Sequence, residues 1–144
     1  MQGTIQSPKS WDKYFLELAT MVATKSKDPS TKVGAVIADM FTHEIISTGY
    51  NGLPTATPDL FTIWSNRDKD GRDLCKYDCV VHAEMNAILH CSRACGNLVL
   101  YSTHPPCLDC AKHIVAFGIV HVICLANKTI MDLKDDKVRM LFEL

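Results

Sequence analysis

Residues 80–91, VVHAEMNAILHC, set three polar side chains into a stretch that otherwise reads as a buried helix. Val80, Val81, Ala83, Met85, Ala87, Ile88 and Leu89 are apolar, and His82, Glu84 and Asn86 stand among them. Burying an unpaired carboxylate or imidazole is costly, so a chain that takes this stretch into its core must give those groups partners. Any fold open to the chain has to bring the partners here from elsewhere. The sequence offers them one supersecondary unit downstream, in PPCLDC.

Cys107 and Cys110 stand three apart at the predicted start of a second helix, where i and i+3 share one face. A helix N-terminus adds exposed N–H groups and a positive dipole end, and both stabilise thiolates. With His82 the two cysteines make three soft or borderline ligands. Three protein ligands with an open fourth position is the pattern of catalytic zinc, whereas structural zinc usually takes four. A lone C-x-x-C is as often a redox or incidental pair, and a lone histidine in an apolar helix is more often a satisfied core residue. The joint pattern is what points to zinc. Glu84, two residues after His82, faces a different side, where a carboxylate can take a proton from water and pass it on. The H-x-E…P-C-x-x-C arrangement matches the general signature of zinc deaminases. Asn86, one turn beyond His82, is placed to orient a ligand or a loop. Cys75 and Cys79, and Cys91 and Cys95, are two more pairs four apart. They read as small buried hydrophobes or free thiols before a second metal site.

Bulk properties narrow the class. A length of 144 residues suits one compact domain over residues 1–144. Net charge is −1 with no basic block, which argues against a nucleic-acid partner. No apolar run reaches the ~18 residues of a membrane span. The polar start, MQGTIQSPKS, lacks the pattern of a secretory leader, so a cytoplasmic location is expected. Seven cysteines in such a chain read as thiols and ligands, not as a disulfide framework.

Ser10 and Asp12 mark a helix start, and Trp11, Phe15, Leu18, Ala19 and Val22 recur at helical spacing. Pro29 breaks that helix. KVGAVIAD and EIISTGYNG are branched, strand-like runs flanking the turn MFTHE, so a hairpin is expected. Residues 51–73 read as a long irregular functional loop. The helix around His82 follows, with Gly96 as its left-handed cap, then the strand NLVLYST. A helix that Pro106 can begin and Gly118 can end comes next. VHVICLA is the last predicted strand, and IMDLKDDKVRMLFEL an amphipathic helix. The order predicts an α/β domain in which a strand–helix–strand unit gives a parallel pair.

At this level the chain resembles the deoxycytidylate deaminase family. HAEMNAI and PPCLDCAKHIVAFGI are similar to its two zinc motifs, and SKDPSTKVGAVIAD and STGYNGLP to its amino-terminal half. The resemblance implies a three-layer α/β/α cytidine-deaminase-like domain with a central mixed sheet, commonly assembled as a hexamer. It implies conversion of dCMP, a small-molecule nucleotide, to dUMP and ammonia, supplying dUMP for thymidylate synthesis. It implies zinc held by His82, Cys107 and Cys110, with Glu84 as the proton shuttle. Ala83 and Asn51 would contact the substrate, Asn51 through the deoxyribose, and Lys25, Ser26 and Lys27 would lie near the 5′-phosphate. Candidate effectors are dCTP and dTTP, near the loop after GYNGLP. There the sequence departs from the family, with Thr55 and Ala56 ahead of any glycine. Alternative readings are a deaminase of dCTP or of a 5-substituted dCMP, a tRNA adenosine deaminase, and a catalytically dead zinc module.

Overall fold

The computed structural model describes residues 9–58, 61–92, 96–119, 121–125, 128–129 and 136–144. Helix α1 spans Trp11–Ala23, and the Ser10 hydroxyl accepts the Lys13 N–H at 3.2 Å as its N-cap. Its buried face is Phe15, Leu16, Ala19 and Ala23. Trp11 is rotated off the expected stripe, is 51% exposed and stacks on His43 at 4.2 Å. The hairpin forms as expected from β1 (Gly34–Asp39) and β2 (Ile45–Tyr50), with an irregularity in register between Ile37 and Ala38.

Residues 51–73 are less irregular than the sequence implies. They carry the short helix α2 (Phe61–Ser65), and α3 (Lys76–Cys79) follows close behind. The helix around His82 is also shorter than expected: α4 spans only Ala83–Leu89. Val80 lies in extended geometry, and the backbone of Val81 pairs with Gly52 in both directions, at 2.8 and 3.1 Å. Branched residues with a strand-like partner gain more there than in a helical turn. Gly96 has φ +116° but lies beyond the end of α4 and introduces the next strand. That strand is β3 (Leu98–Ser102), buried throughout. Helix α5 (Leu108–Phe117) starts after Cys107, two residues later than Pro106 would place it, and Gly118 ends it at φ +93°. Then come β4 (His121–Cys124), a two-residue β5 (Lys128–Thr129) and α6 (Asp136–Glu143). Cys95, and residues 130–135 of the predicted last helix, lie outside the described residues.

The sheet order is β2-β1-β3-β4-β5. β1 is antiparallel to β2 and β3, β3 is parallel to β4, and β5 is antiparallel to β4, so the sheet is mixed. Alternation along the strands divides the core. Val36, Ala38, Val99 and Tyr101 face α1. Ala35, Ile37, Leu98 and Leu100 face the other way, against Ala83 and Ala87 of α4, Ala111 and Ile114 of α5 and Val138 of α6. The result is the expected three-layer α/β/α arrangement. No helix among the described residues is long and apolar enough to cross a membrane.

Two helices approach the sheet closely enough to need glycine beneath them. A Cβ on Gly34 would lie 2.0 Å from the Ala19 carbonyl oxygen, and one on Gly49 would lie 2.3 Å from Ala87 N and 2.4 Å from Ala83 O. Both obstacles are backbone, so a whole helix would have to move. Gly49→Ala is therefore expected to destabilise the fold by roughly 1–3 kcal/mol or more, measured by chemical denaturation. It should also disturb the start of α4 more than the start of α1, which amide exchange will resolve.

Candidate active site

Two helix N-termini meet at one edge of the sheet. His82 is the N-cap of α4 and Cys107 the N-cap of α5, both in extended backbone geometry. Cys110 follows one turn into α5, as the i, i+3 spacing requires. His82 Nδ1 lies 3.5 Å from Cys107 Sγ and 3.3 Å from Cys110 Sγ, and Cys107 Sγ accepts the Cys110 N–H at 3.5 Å. A tetrahedral ion bonded to nitrogen at 2.0–2.1 Å and to sulfur at 2.3 Å would hold such donors about 3.6 Å apart. The three donor atoms already stand near that spacing, so they fit a zinc-sized cation. This trio is the metal-capable group found among the described residues. Cys75 is buried and Cys79 partly so, and neither joins a metal-capable group among the described residues.

The protein's own groups resist ionisation of Cys110. Burial pushes its thiol up, and the neighbouring Glu84 and Cys107 push it further. A cation held by the three donors would supply the missing counter-charge and favour the thiolate form. Cys124 is 1% exposed; burial, then Glu84, raises its thiol to about 12, and it donates to the His104 carbonyl. It is not part of the trio of converging donors, which among the described residues holds His82, Cys107 and Cys110.

Glu84, in the first turn of α4, is 4% exposed. Burial pushes its carboxyl above the ordinary range. Its own backbone N–H, His82 and the Ser102 hydroxyl pull the other way without cancelling that effect. A carboxyl with a raised pKa beside a potential metal site is suited to hold and release a proton.

His82 and Cys107 of the trio, with Glu84, border a cavity of about 280 Å³, whose wall also includes Ala83, Asn51, Lys76 and His104. Asn51 is buried and mostly committed: its Oδ1 accepts the Val33 N–H at 2.8 Å, and its Nδ2 donates to Thr31 O at 2.9 Å and Asp28 Oδ2 at 3.3 Å. One Oδ1 lone pair remains for a ligand. Asn86 donates to Tyr50 O at 2.8 Å and so orients the chain just before Asn51. The structure does not assemble the three KSK residues around this cavity. Ser26 is 2% exposed, and its hydroxyl donates to Asn51 O and accepts the Asp28 N–H. Lys25 is exposed and outside the cavity wall, and Lys27 borders a different cavity. After α1 ends at Ala23, Ser26 turns inward to the distant Asn51 carbonyl, and Lys25 and Lys27 are left exposed outside the cavity wall.

Sequence reasoning missed the buried pair Asp28–Lys76, 2.6 Å apart, in the same wall. Burial by itself would push the Asp28 carboxyl up, but the Lys76 ammonium and the donors of Ser30 and Thr31 hold it below the usual carboxylate range. A lysine six residues before His82, followed directly by Tyr77, was the available signal. His104 and Ser102 were missed as well, and their only signal was adjacency to PPCLDC.

Comparison with known proteins agrees with this geometry. The family model described as the cytidine and deoxycytidylate deaminase zinc-binding region matches residues 9–126. The deoxycytidylate deaminase of Mus musculus is 36% identical over 135 residues, 93% of this chain and 75% of that protein. That of Mycobacterium phage D29 is 36% identical over 124 residues, 81% of this chain and 95% of that one. The crystal structure of dCMP deaminase from the cyanophage S-TIM5 in complex with dCMP and dUMP superposes with a TM-score of 0.62 at 26% identity, covering 78% of each chain. A matched region that spans α1 through β4 and contains all three metal-capable donors and Glu84 establishes that the chain belongs to the cytidine and deoxycytidylate deaminase family.

Proposed function

We infer that this chain hydrolyses dCMP to dUMP and ammonia, with zinc held by His82, Cys107 and Cys110. The observation that carries the reading is the convergence of those three donors beside a buried Glu84, at a cavity, in a chain related to deoxycytidylate deaminases over most of its length. Zinc, when bound, supplies the Lewis acidity that makes water nucleophilic near neutral pH. Glu84 accepts a proton from the attacking water at its carboxylate. It delivers that proton to N3 of the cytosine ring, which makes C4 electrophilic. It then carries the remaining hydroxyl proton to the exocyclic nitrogen, so oxygen stays on C4 and ammonia leaves. One carboxylate thus serves as base and then as acid. Asn51 accepts a sugar hydroxyl at its open Oδ1 lone pair, and Ala83 lines the base pocket beside it.

Three further parts of the reading have support of their own. A second cavity of about 240 Å³, bordered by Lys27, Tyr50, Leu53, Thr55 and Trp64, is a candidate effector site for dCTP and dTTP. The buried Trp64 Nε1 has no partner among the described residues, which suits a ligand acceptor there. Leu108, Met140 and Leu144 are exposed around one open apolar groove, which favours a homo-oligomer, with the hexamer of the family resemblance as its form. The thiols of Cys75, Cys110 and Cys124, free of disulfides, suit a reducing cytoplasm.

Ammonia release assayed across cytidine, deoxycytidine, dCMP and dCTP should show a clear preference for dCMP. Equal turnover of deoxycytidine and dCMP would overturn the nucleotide assignment.

Purified protein should carry one zinc per chain by elemental analysis. Cys107→Ala and Cys110→Ala should each lose it and melt at a lower temperature, because metal binding energy is folding energy. Full zinc retention in both variants would remove the ligand assignment.

Glu84→Gln should keep the zinc and the fold yet lose roughly 10²–10⁴-fold in kcat, since an amide keeps the shape and relays no proton. A variant that keeps a tenth or more of the wild-type rate would place the proton transfer elsewhere.

A further inference from the structure

Lys76 is the one lysine or arginine in the wall of the cavity beside Glu84, among the described residues. It is the first residue of α3 and only 8% exposed, which is unusual for a lysine unless its charge has work or a partner. Its Nζ contacts Asp28 Oδ2 at 2.6 Å and donates to Ser30 Oγ at 3.0 Å. An ammonium has three N–H donors, and these contacts occupy two.

Asp28 does not depend on Lys76 alone. Its carboxylate is 1% exposed and accepts the Ser30 N–H at 2.9 Å, the Ser30 hydroxyl at 3.0 Å and the Thr31 N–H at 3.2 Å. Asn51 Nδ2 adds a donor at 3.3 Å. Four neutral donors therefore spread the carboxylate's charge, and Lys76 retains positive character toward the cavity. A carboxylate held in this way also fixes a long, flexible lysine side chain, so less ordering remains to be done when an anion arrives. Thr31 lies in the same wall and adds a hydroxyl. Lys25 and Lys27, the cations suggested by the sequence, are not in that wall.

We propose that Lys76 determines specificity for the 5′-phosphate of the substrate, with Asp28 and Ser30 holding its ammonium in position at the cavity wall. The assignment rests on reading this cavity as the nucleotide site. Its third N–H makes a charge-assisted bond to a phosphate oxygen. The unphosphorylated nucleoside has no group to receive it.

The test compares Lys76→Gln, Lys76→Arg and the double variant Asp28→Asn/Lys76→Gln with the wild type. The double variant removes the unpaired buried carboxylate that Lys76→Gln would leave, so it reports on substrate recognition even if the single variant folds poorly. In the folded variants lacking the lysine charge, kcat/KM for dCMP should fall about 10- to 100-fold, mainly through KM. Deoxycytidine should lose much less than dCMP over the same variants. Calorimetry should show dUMP binding weakened by the same factor as dCMP turnover, with deoxyuridine binding unchanged. Lys76→Arg, which keeps the charge, should recover part of the preference. Equal losses on phosphorylated and unphosphorylated ligands, or an undiminished preference for dCMP, would overturn the assignment. A wild-type protein that binds dUMP more tightly than deoxyuridine but releases no ammonia from dCMP would sink the proposed reaction and leave Lys76 to be judged by binding alone. A wild-type protein that binds the two equally overturns Lys76.

Discussion

The antiparallel pairing of β1 with both of its neighbours governs where chemistry can occur in this molecule. Because β1 runs against β2 and β3, its first residue, Gly34, pairs with Tyr50 at the end of β2, and Ala35 pairs with Ser102 at the end of β3. The start of one strand and the ends of two others therefore share one sheet edge. Val33, Asn51 and Thr103 extend from that edge and bond to one another's strands: Val33 N–H to Asn51 Oδ1, and Gly34 N–H to Thr103 Oγ1 at 3.1 Å. The parallel pair β3–β4 needs a crossover helix, and α5 begins just beyond the same edge. The Val81–Gly52 bridge anchors the start of α4 there too. Two helix N-termini and their cap residues are thus brought together by strand register, which makes the meeting of His82 with Cys107 and Cys110 a consequence of the sheet.

Close approach then fixes the distances. Gly49 lets the backbone of α4 sit directly on β2, and the Ser47 hydroxyl donates to Ala87 O at 2.6 Å across the same contact. Both act on the helix that carries His82 and Glu84. Small residues at this seam, Ala83 and Ala87 with Gly49, leave no slack for the helix to slide. A site whose donor atoms must lie within a few tenths of an ångström of a useful geometry is served by such a backbone-to-backbone contact better than by long, compressible side chains.

The two buried carboxylates near the cavity show how environment separates similar groups. Glu84 has few donors, chiefly its own backbone N–H and the Ser102 hydroxyl, so burial dominates and its carboxyl is pushed up. Asp28 is at least as buried but is surrounded by Lys76, Ser30, Thr31 and Asn51, so its carboxyl is held down. One is suited to exchanging a proton; the other stays a fixed charge that organises the loop from Ser26 to Val33. The difference lies in the number and direction of hydrogen-bond donors.

The residues of the candidate metal site were legible in the chain because their signals are local. His82 and Glu84 are conspicuous as polar groups in an apolar stretch, and Cys107 and Cys110 as an i, i+3 pair at a helix start. The hairpin, β3, β4 and the body of α1 follow from periodicity and turn residues for the same reason. The misreadings arose where a distant segment decided the matter. Val80 and Val81 are extended because Gly52, nearly thirty positions away, supplies backbone partners. Ser26 turns inward to Asn51, and Lys76 enters the cavity wall because Asp28 is waiting there. The sequence by itself determined which residues could hold a metal and move a proton, since those capacities belong to side-chain chemistry and short spacing. Only the tertiary structure decided which cation and which amide reach the cavity, because a charged or polar side chain goes where a partner from elsewhere in the chain can offset its desolvation.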